Sequence, residues 1–209
     1  YLVRSEQSKR FTLSGKLLVM GHQTLSTLPI VPTAIDIMRV CRDKTGETAL
    51  IGTIVDDHCV VLEQVLGTHF FKFSLDLGSR INLHASAPGK VMMAYLPESE
   101  LNELLERITL TRYNEQTITT RKDLMAEFRR IRECGFSIDR GEELHGIVCI
   151  GAPVFDQNGY PIASLWITGP ADRVTESQFP ETGETLRKCA ADISARFGYV
   201  DSTVVVNGR

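Results

Sequence analysis

The chain has 209 residues, 43% hydrophobic and 23% charged, enough for one sizeable core with a small appendage. With 23 basic against 26 acidic residues the net charge is −3, which argues against this portion doing the bulk of any nucleic-acid binding. Cys41, Cys59, Cys134, Cys149 and Cys189 are widely spaced and form no C-x-x-C pair, so they read as reduced thiols in a cytosolic protein rather than a disulfide framework. No apolar run approaches the roughly 18 residues a bilayer span needs, and no signal peptide is seen.

The chain opens on Tyr1 inside a strand-like run and reads as a fragment of a longer protein. "YLVR" and "RFTL" flank the polar "SEQSK" and predict a small hairpin carrying Arg4, Lys9, Arg10 and Lys16 against a single acid, Glu6. Two readings stay open: a solvated hairpin, or a wing whose basic residues meet phosphates. "SGKLLVMGHQ" predicts a helix from near Ser14 that leads to the main domain. Next, Ile30, Ala34, Ile35, Ile37, Met38 and Cys41 recur at helical spacing, and Gly46 closes the pattern.

"ETALIGTIV" and "CVVLEQVL", joined by Asp56-Asp57-His58, predict an antiparallel hairpin. "HFFKFSLDLGSRINL" predicts a further strand with a turn at Gly78-Ser79. "ESELNELLERI" is a short helix. "TTRKDLMAEFRRIRECGF" is a longer one, with Thr120 as cap, Asp123 as capping-box acid and Gly135 as terminator. "FSIDRGEELHG" reads as a strand running into a polar loop, and Asn158-Gly159 marks a hairpin between two further strands. Leu186, Cys189, Ala190, Ile193 and Phe197 give a last helix its buried face, with the regular part expected after Pro180 and Gly183. The fold class is α+β, a mainly antiparallel sheet flanked by helices.

Between the third strand and its helix stands "LHASAPGKVMMA", with Gly-Lys at the break. A nucleotide phosphate loop requires Gly, four residues, then Gly-Lys-Ser/Thr. Here His84 and Val91 occupy the two ends, so that reading fails. What remains is a helix start, with Ser86 as cap and Pro88 in the first turn, or a cradle for a small carboxylate at the helix N-terminus with Lys90 adding charge. His145 and Cys149 lie four apart and suggest a metal or nucleophile pair, but no further ligand or orienting partner accompanies them.

Three stretches together carry a resemblance: "YLVRSEQSKRFTLSGKLLVMG", "INLHASAPGKVMMAYLP" and "ECGFSIDRGEELHGIVCIGAPVFDQNGYPIASLWITGP". In order and spacing they resemble the IclR family of bacterial transcriptional regulators from Tyr1 to about Gly198. The resemblance implies a GAF-like, profilin-like effector-binding domain at 29–198 and a linker helix at 14–28. Residues 1–13 would be the wing left from a winged helix-turn-helix, and 199–209 a C-terminal tail. It implies a small-molecule effector, a carboxylate or a sugar or aromatic acid, with no cofactor and no catalytic residue. It also implies a homodimer or homotetramer with no membrane contact, reaching DNA through the full winged helix-turn-helix by way of Arg4, Lys9 and Arg10.

The family's pocket maps onto Ser86, Ala87 and Pro88 for the carboxylate. It maps onto Asp139 and onto Ile147 and Cys149 of one strand, and onto Trp166 and Thr168 of the next. Phe70, Ile81 and Leu83 would form apolar walls. Two departures stand out. Pro88 offers no N–H, and Trp166, the only tryptophan, replaces a small hydroxyl residue of several relatives. The alternatives are a dimerisation module with its pocket filled by Trp166, and a hydrolase using Cys149 and His145.

Overall fold

The computed structural model describes residues 2–4, 10–16 and 29–200. They fall into two compact units, Tyr1–Thr33 and Ala34–Arg209. In the first, β1 (Leu2–Arg4) and β2 (Phe11–Leu13) pair antiparallel, Arg4 opposite Phe11, as the hairpin reading expected. The Arg4 guanidinium stands 6.0 Å from the centre of the Phe11 ring. A helical turn begins at Gly15-Lys16, with the Lys16 amide donating to the Ser14 hydroxyl at 3.2 Å. Lys9, most of the expected linker helix and residues 201–209 of the tail lie outside the described residues.

Helix α1 (Ile30–Thr45) buries Ile30, Ala34, Ile37, Met38 and Cys41, the expected stripe. Arg42 and Lys44 sit in its last turn, where cations suit the helix dipole, and Gly46 at φ 73° ends it. β3 (Thr48–Val55) and β4 (His58–Val65) form the expected hairpin, turned at Asp56, which adopts φ 57°. β5 (Arg80–Asn82) then pairs with β4.

The strand expected in "HFFKFSLDLGSRINL" forms only at its end, as β5, after the turn at Gly78-Ser79. Before it, Gly78 donates to the Val61 carbonyl at 2.8 Å and the Val61 amide donates to the Ser79 carbonyl at 3.0 Å, but residues 66–77 form no regular ladder. Side chains also hold that segment. Thr48 donates to the Phe73 carbonyl at 2.6 Å, and Gln64 both donates to and accepts from Leu75.

After the quoted loop come α2 (Ala87–Tyr95), α3 (Glu98–Arg107) and α4 (Arg121–Cys134). The Thr120 hydroxyl caps α4 by accepting from the Asp123 amide at 3.1 Å and itself donates to the Asp123 carboxylate at 2.6 Å. Gly135 at φ 80° closes the helix as expected. β6 (Ser137–Asp139), β7 (Ile147–Phe155) and β8 (Pro161–Pro170) follow, and then α5 (Phe179–Arg196). Contrary to expectation, α5 is regular through Pro180 and Gly183. Pro180 occupies the first turn, where no N–H is needed, and a Cβ at Gly183 would lie 2.5 Å from the Phe136 ring, so packing selects the glycine.

The sheet runs β5-β4-β3-β8-β7-β6 with every neighbour antiparallel. Because side chains alternate along a strand, the register sorts its residues onto two faces. One face carries Ala49, Ile51, Ile138, Val148, Ile150, Ala152, Val154, Ala163, Leu165 and Ile167, all buried and all apolar. α5 packs on β7 and β8 from that side. The other face carries Thr48, Leu50, Ser137, Asp139, Cys149, Gly151, Ser164, Trp166 and Thr168. It is covered by the layer of α2, α3 and α4, whose buried residues share a core cluster with Leu50, Cys59, Val61, Leu83 and Trp166.

Candidate functional site

The first turn of α2 stands over the polar-bearing face. Ser86 caps it, accepting from the Gly89 amide at 3.3 Å and donating to the Asn82 carbonyl at 2.6 Å. A Cβ on Gly89 would come within 2.3 Å of the Leu83 carbonyl oxygen, so the glycine is required by a close backbone approach. Ser137 donates to the Ala87 carbonyl at 2.6 Å, and Gly151 leaves the space into which Ala87 and Pro88 settle.

Lys90 is only 1% exposed. Its ammonium donates to the Ile138 carbonyl at 2.7 Å, forms an ion pair with Glu142, and has Glu127 at 3.8 Å. The Gly-Lys of the sequence is thus a clasp that ties α2 to β6 and to the loop 140–146. The charge of Lys90 is spent inside the fold rather than offered to an outside anion.

The anion cradle is correspondingly reduced. Pro88 has no N–H, the Gly89 amide goes to the Ser86 hydroxyl, and the Lys90 amide goes to the Ser86 carbonyl at 3.0 Å. Within the first turn of α2, only the Ala87 amide is uncommitted among the described residues.

Loop 140–146 is held from several sides. Asp139 accepts from the Glu142 amide at 2.7 Å, Thr117 donates to the Glu142 carbonyl at 2.6 Å, and Asn114 donates to the Gly141 carbonyl at 2.7 Å. Asn82 donates to the Glu143 carboxylate at 2.9 Å.

Beneath this loop lies a row across four strands. Asp139 pairs with Cys149, Cys149 with Thr168, and Thr168 with Thr48. Burial pushes the Asp139 carboxyl up to about 7. The Glu142 amide opposes that rise and the nearby Glu142 charge adds to it. Burial likewise raises Glu142, against the pull of Lys90. Glu127 goes the other way: burial alone would raise it, but Arg130 and Lys90 hold it below the usual range. The Cys149 thiol, buried beside Asp139, is pushed far up and donates to the Thr168 hydroxyl at 3.2 Å.

The structure therefore brings together Asp139, Cys149 and Thr168, with Ala87 and Pro88 seated on the adjoining Gly151 and Ile147 two residues along the same strand face. Leu83 and Trp166 are core residues of the same layer, and Ile81 packs against it half-buried. Trp166 is 1% exposed with its ring against Gly52, so it fills space rather than offering a face to solvent. Phe70 is fully exposed on the 66–79 segment and is not brought to the others.

His145 is exposed in the loop while Cys149 is inside the sheet bonded to Thr168, so the two form no nucleophile pair. Arg4 and Arg10 are exposed on the hairpin unit. Sequence reasoning missed Thr48, the Glu142 and Glu127 partners of Lys90, and Ser164, whose buried hydroxyl finds no partner among the described residues. Thr48 carried a signal: a polar residue at the head of an apolar strand, in phase with Leu50.

Residues 22–195 match the family described as the C-terminal domain of the bacterial transcriptional regulator IclR. The chain is 31% identical over 201 residues to the HTH-type transcriptional regulator KdgR of Escherichia coli K12, covering 96% of this chain and 76% of that protein. It is similar to the Thermotoga maritima IclR crystal structure, with a TM-score of 0.80 and 33% identity over 95% of this chain and 80% of that one. It is also similar to the C-terminal domain of E. coli KdgR, with a TM-score of 0.73 and 32% identity over 81% of this chain and 99% of that one. These relatives are transcriptional regulators, not enzymes.

Proposed function

The chain belongs to the IclR family of bacterial transcriptional regulators, and from that premise we propose that its effector-binding domain senses a small organic acid on the Asp139–Cys149–Thr168–Thr48 row. The observation that carries the reading is that row: four polar side chains in register on a buried sheet face, beneath a helix N-terminus and bounded by two irregular segments, 66–79 and 140–146. A carboxyl group near 7 is half protonated at neutral pH. It can donate to a ligand carboxylate, which an ordinary aspartate would repel. The Ala87 amide supplies a second donor and the Thr168 hydroxyl, which accepts from Cys149, a third, while the Thr48 hydroxyl is committed to the Phe73 carbonyl.

Effector binding shifts the population of arrangements that grip an operator, by as much as the effector's differential affinity allows. In the longer protein Arg4, Lys9 and Arg10 of the hairpin contact phosphates, and the regulator acts as a homodimer or homotetramer.

The test is a thermal-shift screen against organic, sugar and aromatic acids, repeated on Asp139→Asn and Thr168→Val. A ligand at about 100 times its dissociation constant adds about 2.7 kcal/mol. A stabilising acid whose effect is lost in both variants supports the site, and a hit indifferent to both removes it. One observation favours a second reading. Trp166 is buried with its ring against Gly52 and fills the space there, as in a dimerisation module with a vestigial pocket, and a blank across the whole panel would select that reading.

A further inference from the structure

A cavity of about 960 Å³ opens at the far end of α2 from the candidate site. The last turns of three helices line it, with Tyr95 from α2, Arg132 and Cys134 from α4, and Ala195 from α5. Along one wall the rings of Tyr95, Phe155 and Tyr199 follow one another, edge-on at 5.1 Å and tilted at 4.9 Å between centres. All three are half-buried, so the aromatic wall stands inside the hollow without closing it. Rings on one side and a few charged groups on the other are what a small flat molecule needs.

One of those charged groups is fixed in place and only partly used. Arg132 donates through Nη1 to the Ala94 carbonyl at 2.6 Å, at the end of α2. Its Nε and Nη2 have no hydrogen-bond partner among the described residues. These two nitrogens form one edge of the planar guanidinium, and their spacing matches the two oxygens of a carboxylate. Arg187, in the same lining, shows the match: its Nε and Nη2 hold the Glu184 carboxylate at 2.7 and 2.8 Å. The edge that Arg187 fills from its own helix is open on Arg132. Glu133 and Asp192 complete the charged lining. They repel a second carboxylate, which narrows the fit to a monoanion.

The lining also argues against a peptide strand as the occupant. β6 pairs with Cys149, Ile150 and Gly151 of β7 and goes no further. The stretch of β7 beyond it holds Pro153, which has no N–H, and Phe155, whose amide donates to the Ser194 hydroxyl at 2.9 Å. A strand laid there would find neither donor, so a compact molecule fits better than an extended chain.

We propose that this cavity is a second small-molecule site, which takes an aromatic monocarboxylate with its carboxylate on the Nε–Nη2 edge of Arg132 and its ring against Phe155 and Tyr199. The proposal stands apart from the reading of the Asp139 row, although the two sites share a helix. α2 carries the candidate site at its first turn and the Arg132 attachment at its last, about 12 Å away at 1.5 Å per residue. A ligand held by Arg132 therefore rests on the element that covers the first site, and the chain gains a second input.

The test uses the whole chain, with 2-naphthoate as probe and the half-buried Cys134 thiol of the lining as reporter. N-ethylmaleimide is applied in timed pulses, and alkylation of Cys134 is followed by peptide mass spectrometry. At ten times its dissociation constant the probe should slow that alkylation about tenfold. 2-Naphthol, the same ring without the carboxylate, and acetate, the carboxylate without the ring, should protect far less. In Arg132→Gln the probe should bind about 10–100-fold more weakly. A Cys134 rate unchanged up to the solubility limit of 2-naphthoate overturns the proposal. So does protection by 2-naphthol equal to that by 2-naphthoate, or protection that persists undiminished in Arg132→Gln. The wild-type comparison of acid with alcohol decides even if the variant fails to fold.

Discussion

The two faces of the sheet are built from the same strands on opposite rules. On the face under α5 the ten residues named above are all buried and apolar. The face under α2 holds Thr48, Ser137, Asp139, Cys149, Ser164 and Thr168 among its apolar residues, and keeps a buried ammonium and two carboxylates at its rim. The first face is stabilised by area removed from water, about 25 cal/mol per Å². The second gives up part of that and recovers it only where each polar group finds a partner. It does not always recover it. One Glu142 oxygen and the Ser164 hydroxyl are buried without a partner among the described residues. A face that tolerates unsatisfied polar groups is the one suited to accept a ligand's.

That contrast can be broken most forcefully at Lys90. Lys90→Met leaves the buried Glu142 without its cation, while the half-buried Glu127 keeps Arg130, and should cost about 3–5 kcal/mol in urea unfolding. Pairing it with Glu142→Leu should restore much of the loss. If the double variant is no better than the single, the clasp is not an electrostatic unit. On the opposite face Leu165→Ala should cost about 2–5 kcal/mol through lost burial and an unfilled cavity, with no dependence on pH. A smaller effect is expected at the helix start. Gly89→Ala forces a methyl against the Leu83 carbonyl and should cost about 1–3 kcal/mol, accompanied by weaker binding of any acid found in the screen. Unchanged stability there would mean that α2 can shift on the sheet.

Much of this was legible in the sequence, for reasons that can be named. The hairpins were marked by Asp56-Asp57 and Asn158-Gly159, and the helices by periodic stripes with Thr120 and Gly135 as ends. The strand expected in "HFFKFSLDLGSRINL" is confined to Arg80–Asn82, because alternation alone cannot say how far a neighbour's edge will pair. The delayed start of α5 failed because Gly183 answers to the Phe136 ring, 47 positions earlier in the chain, not to local helix preference. In the candidate site Asp139, Cys149 and Thr168 were found through the resemblance. Their common row became visible only with the register, which depends on β8 pairing with both β3 and β7. Phe70 was assigned as a pocket wall through the same resemblance and lies in solvent. Lys90 was read as adding charge to an anion cradle, because its partners at 127 and 142 are brought to it only by folding.

The finest distinction between the faces is a pH slope. Asp139 is raised in the folded state from 3.8 to about 7, chiefly by burial. The folded protein therefore holds this proton more tightly than the unfolded chain does. The associated stability is fully present below about pH 4 and is lost as pH rises through about 7. Asp139→Asn keeps an oxygen for the Glu142 amide and cannot ionise. Its stability relative to wild type should therefore climb by about 1–2 kcal/mol between pH 5 and pH 7 and level off above. Glu142, Lys90 and the Cys149 thiol surround the position in both proteins, so the difference between the two urea midpoints isolates Asp139. Parallel profiles would mean that the carboxyl is ionised and hydrated throughout, and the row could then attract only cations or neutral hydroxyls. A slope of the expected sign means that a neutral carboxyl persists inside the fold near pH 7, and a buried acid that still carries its proton is what a carboxylate ligand needs on the far wall of its site.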